Sequence, residues 1–254
     1  MQITGNTILI TGGASGIGRV LAEALHKEGN QLIIAGRRTS LLDEVTAANP
    51  GMKSAVLDVQ NFDSLPAFAA QMVSQFPSLN VLINNAGIMK NENLNDSTAD
   101  FSVVEDTVTT NLLAPLRLTA ALLPHLKKQP HAAVITVSSG LAFMPMTATP
   151  TYCATKAAIH SWTQSLRYQL RDSNVEVLEL IPPYVQTELQ GQRQATDPRA
   201  MPLADYIAEV MQILRTRPDA REILVQRVYP LRFASEKGQA AYDEFFTTLN
   251  DRAH

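Results

Sequence analysis

The feature that most constrains this chain is a regular alternation between short apolar runs and longer helical patterns. The apolar runs have the length of β-strands and contain Val, Ile, Leu and Ala almost without interruption, which is typical of strands buried on both faces. Helices that cover both faces of such strands predict a doubly wound parallel sheet. The predicted strands are Thr7 to Thr11, Gln31 to Ala35, Lys53 to Leu57, Val81 to Asn84, Ala132 to Ser138, Val175 to Ile181 and Glu222 to Val225.

The alternation continues without an internal repeat or a Gly/Ser-rich linker, which predicts a single α/β domain of the Rossmann type over residues 1–254, with about seven strands. Residues 188–217 depart from it. They begin with a polar segment interrupted by Gly and Pro, Glu188 to Pro202, which predicts a long loop at the carboxyl edge of the sheet and a substrate-loop region. The helical candidates are Ser15 to Glu28, Phe62 to Gln75, Asp100 to Lys128 with an interruption at Pro115, and Tyr152 to Arg171.

The overall charge excludes several kinds of partner. A formal net charge of -3 at pH 7 provides no basic field that would attract nucleic acid or an anionic membrane. The apolar stretches are also shorter than the roughly 20 residues that a membrane-spanning helix needs. We therefore expect a protein that acts on a small molecule and binds neither nucleic acid nor membrane.

The cysteine content indicates the cellular compartment, and the spacing of the histidines indicates whether a metal site is expected. Cys153 is the only cysteine, so no disulfide can form within the chain, and we predict a reducing, cytoplasmic location. The histidines lack the spacing of metal ligands, so we predict no metal site. They are His26, His125, His131, His160 and His254.

A glycine-rich segment follows the first predicted strand and leads directly into a helical pattern. It reads Thr11-Gly12-Gly13-Ala14-Ser15-Gly16-Ile17-Gly18. Glycines let the backbone approach a phosphate closely, and free N–H groups at a helix start attract the anion, so this segment favours a dinucleotide pyrophosphate site. The alternative is a turn that merely needs positive φ angles. The expected contacts are Gly12, Ser15, Gly16, Ile17 and Gly18.

The end of the second strand indicates which dinucleotide binds. NAD sites place an acidic residue about 20 positions after the glycines, but this chain has Arg37 and Arg38 there. A guanidinium can bind the 2′-phosphate of NADP through two hydrogen bonds, whereas a carboxylate would repel it. We therefore predict NADP, with Arg37 contributing most of the preference. The alternative is that both arginines are solvated surface charges.

Tyr152 and Lys156 lie four residues apart at the start of a predicted helix. This spacing puts both on one helix face, where the ammonium favours the phenolate and lowers the pKa of the tyrosine toward the range of a general acid or base. Ser139 precedes them, at the end of a predicted strand that leads to the same edge of the sheet, and Ser138 is the competing serine. These side chains are the candidate catalytic group.

Taken in order, these segments resemble the short-chain dehydrogenase/reductase family, in its branch of single-domain enzymes of this length. The shared motifs are T-G-x-x-x-G-x-G at Thr11 to Gly18, Asn84-Asn85-Ala86-Gly87, Asn111 in the following helix, Ser139, and Y-x-x-x-K at Tyr152 to Lys156. Within the family, the chain resembles the short-chain oxidoreductases associated with bacterial D-alanylation operons, through Tyr152 to Ser161 and through Pro182-Pro183.

The resemblance implies an NADP-dependent oxidoreductase that transfers a hydride between the nicotinamide and a carbonyl or alcohol substrate. It implies that Tyr152 is the general acid or base, that Ser139 orients the substrate oxygen, and that Lys156 lowers the Tyr152 pKa and binds the nicotinamide ribose. Asn111 would hold a water that connects Lys156 to solvent. The alternative for Asn111 is an amide bonded to backbone inside a helix.

Further cofactor contacts follow from the same resemblance. Asp58 would accept a hydrogen bond from the adenine amino group, with a backbone contact from Val59. Asn85 and Gly87 would line the adenosine. These residues follow the third and fourth predicted strands, at the same edge of the sheet as the glycine-rich segment.

The loop after the sixth strand departs from the family pattern. The resemblance places Val185 and Thr187 beside the nicotinamide, with Thr187 at its carboxamide. The family usually has Pro-Gly where this chain has Pro182-Pro183, and a second proline removes an N–H group and restricts φ. We therefore expect this loop to be held differently from its counterparts.

Function and assembly leave alternatives open. A sensor or scaffold that binds NADP and a partner without turnover is the alternative to an enzyme, although a pure sensor has no need of the proton donor Tyr152. Epimerisation or dehydration on the same scaffold is a third possibility. The resemblance also implies a homodimer or homotetramer, with contacts through the helices Asp100 to Lys128 and Tyr152 to Arg171.

Overall fold

A computed structural model describes residues 1–95 and 101–251, and its strands form one parallel sheet. The strands are β1 (Thr7–Thr11), β2 (Gln31–Gly36), β3 (Lys53–Val56), β4 (Leu79–Asn84), β5 (Ala132–Val137), β6 (Val175–Ile181) and β7 (Glu222–Leu224). They lie in the order β3-β2-β1-β4-β5-β6-β7. The predicted doubly wound α/β sheet is confirmed, and each predicted strand is present to within two residues at either end.

Helices cover both faces of the sheet because alternate residues of each strand point to opposite faces. Ile8 and Ile10 of β1 belong to the core of one face, and Leu9 between them belongs to the core of the other. The helices are α1 (Gly16–Lys27), α2 (Thr39–Ala48), α3 (Leu65–Gln75), α4 (Phe101–Val108), α5 (Ala114–Leu126), α6 (Pro150–Gln169), α7 (Gln192–Ala195), α8 (Leu203–Thr216), α9 (Tyr229–Arg232) and α10 (Gln239–Asp251). In the first core α1, α2 and α8 pack on the sheet, and in the second α3, α5 and α6 do so. Among the described residues, no helix is both long and apolar enough to span a bilayer.

The predicted helices are present with shifted ends. The prediction from Ser15 to Glu28 corresponds to α1, that from Tyr152 to Arg171 to α6, and that from Phe62 to Gln75 to a 3₁₀ turn followed by α3. The helices α2, α8 and α10 have no counterpart among the sequence predictions. The helix α8 packs its buried face against α1. Within the predicted region 188–217, the loop therefore ends before Leu203, where α8 begins.

The long helix predicted from Asp100 to Lys128 consists of three parts. Asp100 lies outside the described residues, and α4 is followed by a π-helical turn, Thr109–Leu113, and by α5. Pro115 explains the interruption, because it has no N–H for the carbonyl of Asn111 and its ring would clash with that carbonyl in a regular helix. The π-helical turn therefore changes the path of the backbone at Asn111, which is a predicted site residue.

Candidate active site

The carboxyl ends of β1 and β4 lie side by side, at the point where the strand order changes direction. In a doubly wound sheet this switch point opens a crevice for ligands. The glycine-rich turn after β1 and the segment after β4 therefore meet at one place. The predicted cofactor and catalytic residues gather around it.

The glycine-rich turn has the shape of a phosphate cradle. Gly12 has a φ of 68°, a left-handed conformation that favours glycine. A Cβ atom on Gly18 would overlap both the Gly12 carbonyl oxygen and Asn85 Nδ2. The side chain of Ser15, the residue before α1, does not cap the helix. The N–H groups at the start of α1 are therefore available to an anion such as a pyrophosphate, and the residues present fit a dinucleotide.

Thr11 and Asn85 tie this turn to the end of β4. Thr11 Oγ1 accepts hydrogen bonds from the backbone N–H groups of Asn85 at 3.1 Å and Ala86 at 3.0 Å. Asn85 Nδ2 donates to the Thr11 carbonyl at 2.9 Å. Thr11, which is not among the predicted contacts, therefore supports the shape of the turn together with Asn85.

Ser15 and Arg38 are joined at the edge of the turn. The guanidinium of Arg38 donates to Ser15 Oγ at 2.9 Å. Ile17 is half-buried against the core below, and Arg37 is exposed. The structure thus brings Arg38 to the phosphate cradle, whereas from the sequence we expect Arg37 to have the larger share.

Asp58 and Val59 follow β3 at the same edge of the sheet. Asp58 is exposed, and its Oδ1 accepts a hydrogen bond from the Gln60 N–H at 3.1 Å. Val59 lines a small cavity together with Thr11 and Asn84. Both residues therefore lie on the side of the turn where adenine contacts are predicted.

Tyr152 and Lys156 lie one turn apart near the start of α6. Both side chains are buried, and Lys156 Nζ lies 5.5 Å from the centre of the Tyr152 ring. Lys156 Nζ also donates a 2.8 Å hydrogen bond to the Val137 carbonyl at the end of β5. Helix and sheet edge together hold the ammonium beside the phenol.

Burial dominates the ionisation of both groups. It raises the pKa of Tyr152 to about 12, against the opposing effect of a hydrogen bond with Ser139. It lowers the pKa of Lys156 to about 8, against the opposing effect of the Glu179 carboxylate. The net pKa of Tyr152 lies above its ordinary value because burial outweighs the effects of the neighbouring groups, and a lowering of this pKa by Lys156 stays a prediction.

Ser139, and not Ser138, lies close enough to Tyr152 to lower the pKa of its phenol. Its Oγ also accepts a 3.1 Å hydrogen bond from the Leu141 N–H. Ser138 Oγ is buried and has no hydrogen-bond partner among the described residues. Successive residues of an extended chain point in opposite directions, which separates the two serines. Ser139, Tyr152 and Lys156 are thus brought together at the carboxyl end of β5.

Asn111 and Gly87 complete this end of the crevice. Asn111 Oδ1 accepts from the Ile88 N–H and its Nδ2 donates to the Ile88 carbonyl, both at 2.9 Å. This is the amide-to-backbone arrangement that the sequence leaves open as an alternative, and a water held by Asn111 stays a prediction. A Cβ on Gly87 would lie 3.4 Å from Asn111 Oδ1 and 3.7 Å from Lys156 Nζ. Gly87 therefore lies close to Asn111 and Lys156, and its predicted contact with the adenosine stays a prediction.

Val185 and Thr187 lie in the loop after β6. Val185 is buried and pairs with Met201 in an isolated parallel bridge. Thr187 lies beside the glycine-rich turn, since a Cβ on Gly16 would be 3.7 Å from Thr187 Cβ. Gln194 holds Thr187 through a 3.1 Å hydrogen bond from its Nε2. No motif or periodicity marks Gln194, so only the folded chain reveals it.

One cluster of potential metal ligands is present among the described residues. Ligand atoms of His160, Glu179 and Glu222 lie within 4.8 Å of one another. His160 Nδ1 bonds to Glu179 at 2.8 Å, and Arg232 binds both oxygens of Glu222, at 2.7 and 3.0 Å. The Arg232 guanidinium already binds the Glu222 carboxylate that a cation would need. The absence of a metal site stays our prediction. His254 lies outside the described residues.

Comparison with known proteins agrees with this geometry. The family profile described as short chain dehydrogenase matches residues 6–198. The uncharacterized oxidoreductase DltE of Bacillus subtilis is 40% identical to this chain, and the match covers 98% of each protein. An NADP-dependent 3-hydroxy acid dehydrogenase of Schizosaccharomyces pombe is 30% identical, over 90% of this chain and 94% of its own length.

Solved structures share the fold. A short chain dehydrogenase from Burkholderia cenocepacia in complex with NADP has a TM-score of 0.80 at 23% identity and covers 98% of this chain and 99% of its own. A relative from Burkholderia phymatum in complex with NAD has a TM-score of 0.78 at 21% identity and covers 93% and 95%. The family profile and the DltE relative confirm the predicted family and the narrower resemblance. The chain belongs to the short-chain dehydrogenase/reductase family of nicotinamide-dependent oxidoreductases.

Proposed function

We propose that this chain is an NADP-dependent carbonyl reductase or alcohol dehydrogenase, with Tyr152 as its general acid and base. One observation carries the proposal: Ser139, Tyr152 and Lys156 meet at the carboxyl end of β5, the strand next to β4 at the switch point of the sheet. The NADP-dependent relative from Schizosaccharomyces pombe and the NADP-bound structure from Burkholderia cenocepacia support the cofactor. A non-catalytic sensor is disfavoured, because it would have no use for the buried Tyr152 and Lys156.

The cofactor would lie across the carboxyl ends of β1 and β4. The glycine-rich turn would hold its pyrophosphate, and Arg37 and Arg38 its 2′-phosphate. Asp58 and Val59 would contact the adenine, and Thr187 the carboxamide. When bound, the nicotinamide supplies or accepts the hydride.

The proton chemistry belongs to the chain's own residues. Tyr152 keeps its proton at neutral pH because its pKa is about 12, so it can donate that proton to a carbonyl oxygen. The Ser139 hydroxyl donates a hydrogen bond to the same oxygen and stabilises its developing charge. The Lys156 ammonium stabilises the phenolate that remains. Alcohol oxidation uses the same groups in reverse, with the phenolate as base.

The substrate would lie between this catalytic group and the loop part of residues 188–217. This loop begins directly after Thr187 and ends where α8 begins. Leu189, within this loop, and Tyr184, just before it, both expose apolar surface. Such a surface favours a substrate with an apolar part next to its carbonyl group.

A substrate screen tests the reaction. Wild-type protein is mixed with NADPH and a panel of aldehydes, ketones and 3-oxo acids, and NADPH consumption is followed by absorbance. We expect turnover of at least one compound, and we expect Tyr152→Phe to lower kcat by about 10²- to 10⁴-fold, because the proton donor is lost. The control is Tyr168→Phe, which changes an exposed tyrosine of the same helix. Unchanged turnover in Tyr152→Phe would contradict the assignment, and NADPH binding without any turnover would favour the sensor.

Cofactor preference is tested by titrating NADPH and NADH against the protein. We expect NADPH to bind more tightly, and we expect Arg38→Ala and Arg37→Ala each to weaken NADPH far more than NADH, because only NADPH carries the 2′-phosphate. The contact with Ser15 supports the larger effect for Arg38. Arg171→Ala, which removes an exposed arginine just beyond α6, is the control for net charge. Equal wild-type affinities would contradict the preference.

We also propose that the protein forms a homodimer or homotetramer and works in the cytoplasm. The two helices that the resemblance assigns to subunit contacts expose large aromatic side chains, Phe101 on α4 and Tyr168 on α6. Exposed apolar surface of this kind favours burial against a second copy. The lone thiol of Cys153 is buried and unpaired, which is consistent with a reducing compartment.

A further inference from the structure

The loop after β6 folds into a small lobe over residues 184–201, called here the 184–201 lobe. Its ends are joined by two backbone hydrogen bonds: the Met201 N–H donates to the Tyr184 carbonyl at 2.8 Å, and the Gln186 N–H donates to the Met201 carbonyl at 2.9 Å. The lobe contains the short helix α7 and leads from β6 to α8. It also carries Thr187, beside the glycine-rich turn.

Gln194 lies inside this lobe with only 6% of its surface exposed. Its Nε2 donates to the Val185 carbonyl at 2.8 Å and to Thr187 Oγ1 at 3.1 Å. Its Oε1 accepts a 3.0 Å hydrogen bond from the Gln190 N–H. One side-chain amide therefore joins three points of the segment that follows Tyr184, and both its oxygen and its nitrogen are used.

These hydrogen bonds define what Thr187 can bind. Thr187 Oγ1 accepts from Gln194 Nε2 at 3.1 Å and from the Leu189 N–H at 3.4 Å. A hydroxyl oxygen has two acceptor sites and one proton, so its acceptor sites are engaged and the proton remains for donation. The partner that suits this hydroxyl is a hydrogen-bond acceptor, such as the carbonyl oxygen of a carboxamide.

The proline pair before the lobe explains why this support is needed. Pro182 and Pro183 have no N–H groups, so the chain between β6 and Val185 lacks two of its backbone donors. The Pro182 carbonyl accepts a 2.9 Å hydrogen bond from the Gly140 N–H, which ties this point to the turn after β5. Beyond Pro183, the backbone hydrogen bonds with Met201 and the side-chain hydrogen bonds of Gln194 hold the chain instead.

We propose that Gln194 is a positioning residue of the cofactor site, which holds Thr187 as a hydrogen-bond donor toward the carboxamide of the nicotinamide. The inference rests on the proposed NADP function and extends it to a residue outside the family motifs. Gln194 is buried behind Thr187, so it acts through Thr187 and not by touching the cofactor.

Binding of two ligands tests this role. NADP and 2′,5′-ADP share the adenosine with its 2′-phosphate, but only NADP carries the nicotinamide. Gln194→Met keeps the length of the side chain and removes all three hydrogen bonds, and Gln194→Glu removes the two donated ones. By titration calorimetry, we expect both variants to bind NADP about ten-fold more weakly, the equivalent of one hydrogen bond, and to bind 2′,5′-ADP within about two-fold of wild type.

The matched control is Gln192→Met, because Gln192 lies exposed on the same short helix. It should bind both ligands like the wild type, and thermal unfolding shows which variants are folded. Wild-type NADP affinity in the folded Gln194 variants overturns the proposal. Equal weakening of NADP and 2′,5′-ADP also overturns it, because it indicates a general loss of structure. A wild-type protein that binds neither ligand refutes instead the NADP function on which the inference rests.

Discussion

A buried carboxyl side chain, Glu179, lies against α6, the helix that carries Tyr152 and Lys156. One of its oxygens bonds to His160 at 2.8 Å, and the other has no partner in the described part of the chain. In the sheet register Glu179 pairs with Thr136, whose hydroxyl bonds to Thr163 of α6, so Glu179 faces that helix. From this position the Glu179 side chain raises the pKa of Lys156, against the larger lowering that burial causes.

Replacing Glu179 with glutamine keeps the size of the side chain and removes its charge. The pKa of Lys156, about 8 with the carboxylate present, then falls further, because the carboxylate raises it. In the proposed mechanism, the ammonium form of Lys156 is the one that stabilises the Tyr152 phenolate. In Glu179→Gln we therefore expect the alkaline limb of the pH profile of kcat to move down by about one pH unit.

Glu176→Gln is the control for Glu179→Gln. Glu176 lies on the same strand, but its side chain is 54% exposed and pairs with the N-terminal amine of Met1. Its removal should leave the pH profile unchanged. A Glu179→Gln profile that coincides with that of Glu176→Gln would show that Glu179 has no electrostatic role in the site.

At the scale of elements, α10 supports the connection between β5 and α6. Asn250 in its last turn is buried, and its Oδ1 accepts a 2.7 Å hydrogen bond from the Thr147 N–H. Its Nδ2 donates to the Pro145 carbonyl at 3.2 Å. The supported segment lies between Ser139 and Tyr152. A helix near the end of the described chain therefore holds the backbone between two candidate catalytic residues.

Asn250→Ala leaves two backbone groups of this segment without their partners. We expect the free energy of unfolding to fall by about 1 kcal/mol, since two partly buried hydrogen bonds are lost. Urea denaturation measures the change. Glu244→Ala, on the exposed side of the same helix, should change it by less than about 0.5 kcal/mol. Equal stability of the two variants would mean that α10 does not hold the segment through Asn250.

At the scale of the whole molecule, the exposed aromatics of α4 and α6 lie on helices that pack against each other. If they form the subunit contact, light scattering should give a mass of at least twice the 27.8 kDa of one chain. We expect the double substitution Phe101→Glu and Tyr168→Glu to lower the mass to that of a monomer, because two buried charges would face each other without partners. Leu94→Glu changes an exposed leucine outside both helices and should keep the assembly intact. A monomeric wild type would contradict the contact.

Motifs and strands could be predicted from the sequence because they depend on neighbouring residues. Continuous apolar runs mark strands buried on both faces, and the glycines after β1 indicate a turn whose interior excludes side chains. The spacing from Tyr152 to Lys156 places both on one face of a helix whatever packs against it. The helix α8 was not predicted, because its apolar face follows the polar, proline-interrupted loop without a break in the chain.

The sequence by itself therefore determined the fold class and the family, and it indicated the candidate phosphate site and the candidate catalytic group. Only the tertiary structure decided the electrostatics and the supports: the raised pKa of Tyr152, the contact of Arg38 with Ser15, and the position of Gly87 beside Lys156. It also brought Gln194 to Thr187. These properties depend on burial and on contacts between distant segments, which no local pattern encodes, whereas strand burial and helix spacing follow from the chemistry of adjacent residues.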